Sequence, residues 1–206
     1  MTSIAILDYG MGNLRSVQKA LERVGSGAEI TTEPERIRAA EGLILPGVGA
    51  FPRAMARVRE LGLDELVNER LEAGVPVLGI CLGLQLLFTR SSENEGADGL
   101  GLLAGEVGPL QAPKLPHIGW NLVTFERESA LTEGLGEAAA FYHVHSFACR
   151  PTDVADVVGE SEYGERFVSV VERDNVMAAQ FHPEKSSTDG LLMLKNFAAL
   201  AAAVVA

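Results

Sequence analysis

The sequence of 206 residues predicts an α/β fold: a mostly parallel central sheet flanked by helices, with an additional, partly antiparallel small sheet. Two observations predict it. Up to about residue 90, short apolar runs alternate with segments of helical periodicity, and the runs end at glycine, proline or a residue capable of chemistry. Beyond Ser91 the pattern changes, and short segments with strand character follow one another. Alternation of strand and helix also places ligand sites at the carboxyl ends of the parallel strands.

Residues 3–7 form the first apolar run, ended by Asp8, and the glycine-rich Gly10-Met11-Gly12-Asn13 leads into a helical pattern over residues 14–24. Asn13 stands where a side-chain oxygen can accept a hydrogen bond from an orphan amide of the first turn, so it is expected to cap that helix. A second strand is expected at 28–31, ahead of Glu33-Pro34-Glu35, and a third at 43–45, stopped by Pro46-Gly47. A helical stretch over residues 51–72 is closed by Gly74, and the fully apolar strand 75–80 then aims at Cys81. Residues 96–105 are turn-rich, and strand character returns at 122–125, 141–148, 167–172 and 176–181. An alanine- and leucine-rich helix from Thr188 or Asp189 to the C-terminus should pack on the sheet. No internal repeat or linker divides the chain, so one domain over residues 1–206 is expected.

Composition narrows the function. Hydrophobic residues at 47% and charged residues at 22% are those of an ordinary globular protein. A net charge of -11 argues against nucleic acid, whose phosphates need clustered Lys and Arg. The longest apolar stretches are too short to span a membrane. Two widely separated cysteines, in a chain opening Met1-Thr2-Ser3-Ile4 without a leader pattern, point to a reducing cytoplasm.

The strongest chemical signal is Gly79-Ile80-Cys81-Leu82-Gly83, a cysteine flanked by glycines at a strand-to-helix junction. This is the cysteine counterpart of the serine nucleophile elbow, whose sharp turn excludes Cβ atoms nearby. The following helix brings amides beside the sulfur, which favours the thiolate, and the Leu82 amide is a candidate oxyanion donor. A lone cysteine is as readily a small buried hydrophobe, and Cys149, without such glycines, is read that way.

A nucleophile of this kind needs a base and a group that orients the base. His117, His143 and His145 have no carboxylate in a comparable local arrangement, whereas His182-Pro183-Glu184 ends an apolar strand with a carboxylate two residues on. In an extended segment those two side chains project to the same side, and Pro183 stiffens the link. A zinc site from Cys81, His182 and Glu184 has no paired ligand spacing behind it, so no metal and no cofactor are expected. Gly10-Met11-Gly12 lacks the third glycine of a dinucleotide fingerprint, and no Walker lysine follows.

Gly79-Ile80-Cys81-Leu82-Gly83-Leu84-Gln85 together with Phe181-His182-Pro183-Glu184 resembles the class I, or triad-type, glutamine amidotransferases. The likeness runs essentially end to end. Asp8-Tyr9-Gly10-Met11-Gly12-Asn13, Pro46-Gly47-Val48-Gly49-Ala50-Phe51, His117-Ile118-Gly119-Trp120-Asn121, Tyr142-His143-Val144-His145-Ser146-Phe147 and Lys185-Ser186-Ser187 are most similar to its histidine-biosynthesis branch. The resemblance implies that Cys81 attacks the side-chain amide of L-glutamine, that His182 passes protons and that Glu184 orients it. It further implies Gly49 and Leu82 near the oxyanion, and Gln85, His145, Ser146 and Phe147 around the glutamine. The implied partner is a separate (β/α)₈ cyclase subunit, forming a heterodimer. The cyclase uses the ammonia to make imidazole glycerol phosphate and aminoimidazole carboxamide ribotide. Leu84 stands where many relatives carry methionine or histidine, a tolerated apolar swap.

Other readings compete. A cysteine peptidase or related elbow hydrolase would act without a partner, and a regulatory module would retain the motifs incidentally. A glutaminase of the anthranilate or aminodeoxychorismate type has the same chemistry and another acceptor; Lys185-Ser186-Ser187 ranks it second. Asn13, Trp120 and Lys185 are expected to face the cyclase, because their loop and strand-end positions share a rim with Cys81 and an aromatic beside a glycine makes an interface anchor. The bland alternative is a core Trp120 and a solvated Lys185.

Overall fold

The computed structural model describes residues 3–203. Its first half alternates as the pattern predicts: β1 (Ser3–Leu7), α1 (Leu14–Arg23), β2 (Gly27–Thr31), α2 (Pro34–Ala39), β3 (Gly42–Gly47), α3 (Phe51–Glu60), α4 (Leu63–Glu72), β4 (Val77–Cys81) and the short α5 (Leu82–Leu86). Then come β5 (Phe88–Ser91), β6 (Ala97–Asp98), β7 (Leu103–Pro109), β8 (His117–Phe125), β9 (Ala138–His145), β10 (Phe147–Pro151), β11 (Val157–Tyr163), β12 (Glu165–Arg173), β13 (Val176–Ala179) and α6 (Ser187–Ala203). The expected C-terminal helix is present, with residues 204–206 outside the described part.

The large sheet runs β2-β1-β3-β4-β13-β12-β11-β8-β9. Pairing is parallel from β2 through β4 to β13 and antiparallel from β13 to β9. The inner strands read as unbroken apolar runs because both faces are covered. Ala5, Leu43 and Leu45 pack with Met55, Val58 and Leu66 of α3 and α4. Ile4, Ile6 and Ile44 pack on the other side with Val17 and Leu21 of α1 and Leu194 and Phe197 of α6.

Several boundaries differ from expectation, each for a local reason. The helix over 51–72 is two helices, because Gly62 at φ 64° adopts a left-handed conformation that cannot continue an α-helix. Pro46-Gly47 does not stop β3: Pro46 pairs with Ile80 and Gly47 with Cys81, while β1 pairs β3 only as far as Ile44. The missing proline N–H therefore lies on a side with no partner strand. Asn13 sits at the N-cap of α1 without a side-chain capping bond; its backbone carbonyl accepts from Ser16 and Val17.

The antiparallel segments join the large sheet. The small sheet, β10-β7-β5-β6, takes β6 and the start of β7 from the turn-rich region, with β5 parallel to β7 and its other pairs antiparallel. The run 141–148 is interrupted at Ser146, where the chain leaves the large sheet at His145 and enters the small one at Phe147. That crossing forms a wall over the end of β4.

Candidate active site

Register places Gly47 beside Cys81 at the carboxyl ends of β3 and β4. Cys81 has φ 56° and ψ -108°, a conformation that costs an L-residue about 1–3 kcal/mol and persists where surrounding packing enforces it. The flanking glycines supply that packing. A Cβ on Gly83 would lie 1.7 Å from Leu45 O, and one on Gly79 would lie 2.9 Å from the backbone of Gly83. The glycines are thus needed to seat α5 against the strands. Because α5 has only five residues, its local amides matter more than any macrodipole.

His182 and Glu184 approach from the end of β13. His182 Nδ1 lies 2.9 Å from Glu184 Oε1, and the Glu184 side chain is 1% exposed. The contact forms by a route other than the extended one expected: the strand ends at Ala179, and Pro183–Lys185 is a 3-10 turn that folds the carboxylate back onto the ring. The turn is docked on β9, since His182 N–H donates to Tyr142 O at 2.9 Å and Tyr142 N–H donates to Ser186 Oγ at 3.0 Å. Burial draws the His182 imidazole down, but Cys81 and Glu184, through hydrogen bonding and charge, outweigh it and hold the ring up at about 9. Glu184 is the firmer of these two partners. The formed contacts of the Cys81 sulfur are with Val144 O at 3.7 Å and Gln180 Nε2 at 3.9 Å.

Cys81 and His182 open on a cavity of about 270 Å³ whose lining includes Gly49, Leu82, Gln85, His145, Ser146 and Phe147. All of the expected oxyanion and substrate residues therefore gather there. His145 contributes to the wall with both ring nitrogens engaged: Nδ1 donates to Phe147 O at 2.9 Å and Nε2 meets His117 Nδ1 at 3.0 Å. Burial holds the His145 ring down at about 4, so it stays neutral. A larger, open groove of about 840 Å³ lies along Glu126, Glu128, Glu133, Glu137 and Glu172, away from the cysteine. Size favours that groove; the convergence of nucleophile, base and carboxylate favours the smaller cavity.

Of the three expected interface residues, Asn13 is exposed, Trp120 is 55% exposed with its ring edge-on to Tyr142, and Lys185 is exposed on the cavity rim. Trp120 is thus not a core residue. Ile118 and Leu122 flank it on β8 at 59% and 56% exposure, an apolar stripe on an exposed face of the large sheet. Burial pushes the Cys149 thiol well up, in keeping with a structural role.

The sequence reading missed Glu93 and Gln180. Glu93 lines the cavity and accepts the Phe51 N–H at 2.7 Å, capping α3 from 42 residues away. Gln180, fully buried, touches the sulfur; a polar residue at the end of an apolar strand, two before His182, was the available signal.

A family model described as glutamine amidotransferase class-I matches residues 5–200. The imidazole glycerol phosphate synthase subunit HisH of Moorella thermoacetica is 53% identical over 201 residues, covering 97% of this chain and 96% of that protein. The same-named subunit of Aquifex aeolicus is 51% identical over 194 residues, covering 93% and 94%. A crystal structure described as a glutamine amidotransferase superposes with TM-score 0.77 at 23% identity, covering 97% and 98%. A chain from the structure of PurLQS from Thermotoga maritima also gives 0.77, at 21% identity, covering 100% and 99%. These two likenesses concern the fold; the family model and the relatives near 50% identity establish that the chain belongs to the class-I glutamine amidotransferase family.

Proposed function

We propose that the chain is a glutaminase subunit that hydrolyses L-glutamine at Cys81 and delivers ammonia to a separate (β/α)₈ cyclase subunit of histidine biosynthesis. One observation carries this reading: a cysteine held in a strained elbow shares a cavity with a His182–Glu184 pair. The names of the relatives supply the acceptor branch.

The chemistry follows from the placement. Cys81 Sγ bonds to the glutamine amide carbon, and the carbonyl electron pair moves onto oxygen, beside the Leu82 and Gly49 backbone. As the pair returns, the C–N bond breaks and His182, positively charged below about pH 9, gives its proton to the departing ammonia. Water then attacks the glutamyl thioester, His182 takes the proton, the C–S bond breaks and glutamate leaves. Glu184 keeps Nδ1 as the donor side of the ring and Nε2 free for these transfers.

The cyclase would consume the ammonia to form imidazole glycerol phosphate and aminoimidazole carboxamide ribotide. Asn13, Trp120 and Lys185, with the apolar stripe on β8, are the surface we assign to it. Replacing Cys81 by alanine should abolish glutamine hydrolysis by the complex and leave ammonia-driven synthesis intact. Retained hydrolysis in that variant would sink the mechanism.

A further inference from the structure

Gln180 directly follows β13, is 0% exposed, and its backbone N–H donates to Ser169 O at 2.9 Å. Its side chain lies between Gln85 Nε2, 3.2 Å from its Oε1, and the Cys81 sulfur, 3.9 Å from its Nε2. The orientation of this link is set from its far end. Phe147 O can only accept, and it receives Gln85 Nε2 at 3.2 Å and His145 Nδ1 at 2.9 Å. Gln85 must therefore present its NH₂ group, whose second hydrogen points to Gln180. Gln180 answers with its oxygen and is left with an N–H for the sulfur.

The same logic runs back through the wall. With Nδ1 of His145 donating, its Nε2 accepts from His117 Nδ1, and His117 Nε2 accepts from Asn121 Nδ2 at 3.4 Å. Turning the Gln180 amide over would set two NH₂ groups against each other at Gln85 and an oxygen against the sulfur.

We propose that Gln180 is a neutral hydrogen-bond donor that holds the anionic sulfur of Cys81, with Gln85 as the positioning residue that aims it. The inference deepens the glutaminase reading and rests on it for the chemical steps. Sulfur carries negative charge before attack. That charge passes to the amide oxygen as the S–C bond forms, and the Gln180 contact slackens. When water has bonded to the thioester carbon, with its proton on His182, the C–S bond breaks and the electron pair returns to sulfur facing the same N–H. A cation at this place would hold the anion more tightly and blunt its attack, because nucleophilicity falls with basicity.

The test is the pH profile of Cys81 alkylation by iodoacetamide, followed by mass spectrometry, with buried Cys149 as the internal control. The substitution Gln180→Glu keeps the side-chain volume and the acceptor for Gln85 but replaces the donor with a carboxylate; Gln180→Met removes both. In each, the alkylation midpoint should move up by about one pH unit, a tenfold change in the reactive fraction at a given pH. The shift should be larger for Gln180→Glu. Because Gln180 is not among the cavity-lining residues, kcat for glutamine with the partner present should fall while KM changes little. An unchanged midpoint in folded Gln180→Glu overturns the proposal. Should both variants fail to fold, Gln85→Met decides: it frees the amide to turn, and an unmoved midpoint there is equally fatal. Wild-type chain that is alkylated at Cys81 yet hydrolyses no glutamine with its partner counts against the glutaminase reading alone.

Discussion

Acidifying the protein from pH 7 to pH 5 should remove about 4 kcal/mol of its stability, through His143 and His145. Both rings are buried, at 0% and 6% exposure, and burial holds them neutral, at about 3 for His143 and about 4 for His145. In the unfolded chain each titrates near 6.5. The stability they contribute is therefore present above 6.5 and is lost as pH falls toward 4. Each proton bound preferentially by the unfolded state costs about 1.4 kcal/mol per pH unit, so each ring loses about 2 kcal/mol by pH 5. His117, stacked 5.1 Å from His143 and also lowered by burial, acts in the same direction. His182 works oppositely: raised to about 9, its contribution is complete below 6.5 and fades as pH rises through 9. Stability from these groups should peak near pH 7. Urea unfolding by circular dichroism between pH 5 and 8, at fixed ionic strength, measures the slope in a window above the carboxylates. His143→Phe keeps an aromatic ring at the site but cannot titrate, and should remove about half of that slope, whatever its offset. A wild-type unfolding free energy that stays flat between pH 7 and pH 5 would refute the reasoning.

Three further outcomes are expected. Gly83→Ala places a Cβ 1.7 Å from Leu45 O, an overlap relieved only by lifting α5 off β3, and should cost about 3 kcal/mol or more in urea unfolding; a loss under about 1 kcal/mol would contradict the seating argument. His182→Ala should be nearly as inactive in glutamine hydrolysis as Cys81→Ala, and Glu184→Gln milder, because an amide can still orient the ring; equal inactivity with an intact fold would give Glu184 more than an orienting role. Trp120→Ala and Lys185→Ala should weaken calorimetric affinity for the cyclase, about thirtyfold if Trp120 is an anchor worth 2 kcal/mol, with alkylation of Cys81 in Trp120→Ala unchanged; full affinity in both variants would remove them from the interface.

What could be read in advance depended on how local the determinants are. β1, β3 and β4 are legible because two covered faces leave them apolar, apart from Ser3 at the exposed start of β1. β7, Leu-Ala-Gly-Glu-Val-Gly-Pro, has no such run; it is held by pairing with β10 on one side and β5 on the other, and only those partners make it a strand. The break at Gly62 is hidden by leucines on either side that continue the apolar spacing. Cys81 stood out because its glycine-flanked segment is unusual by itself, and His182-Pro183-Glu184, which alone reads as a surface turn, stood out because that elbow needs a base with a carboxylate beside it. Gln180 and Glu93 did not, since their roles depend on contacts 95 and 42 residues distant in the chain.

The middle of the large sheet is encoded last. β13, residues 176–179, lies between β4 and β12, so until it is synthesised those two strands end in unpaired edges and the chain exists as two half-sheets. Gln180, His182 and Glu184 follow that strand at once, which makes completion of the sheet and completion of the site a single event during translation. A nascent or truncated chain ending before Val176 already carries Cys81 but should leave glutamine untouched. Such fragments should instead associate through their open edges and release no ammonia.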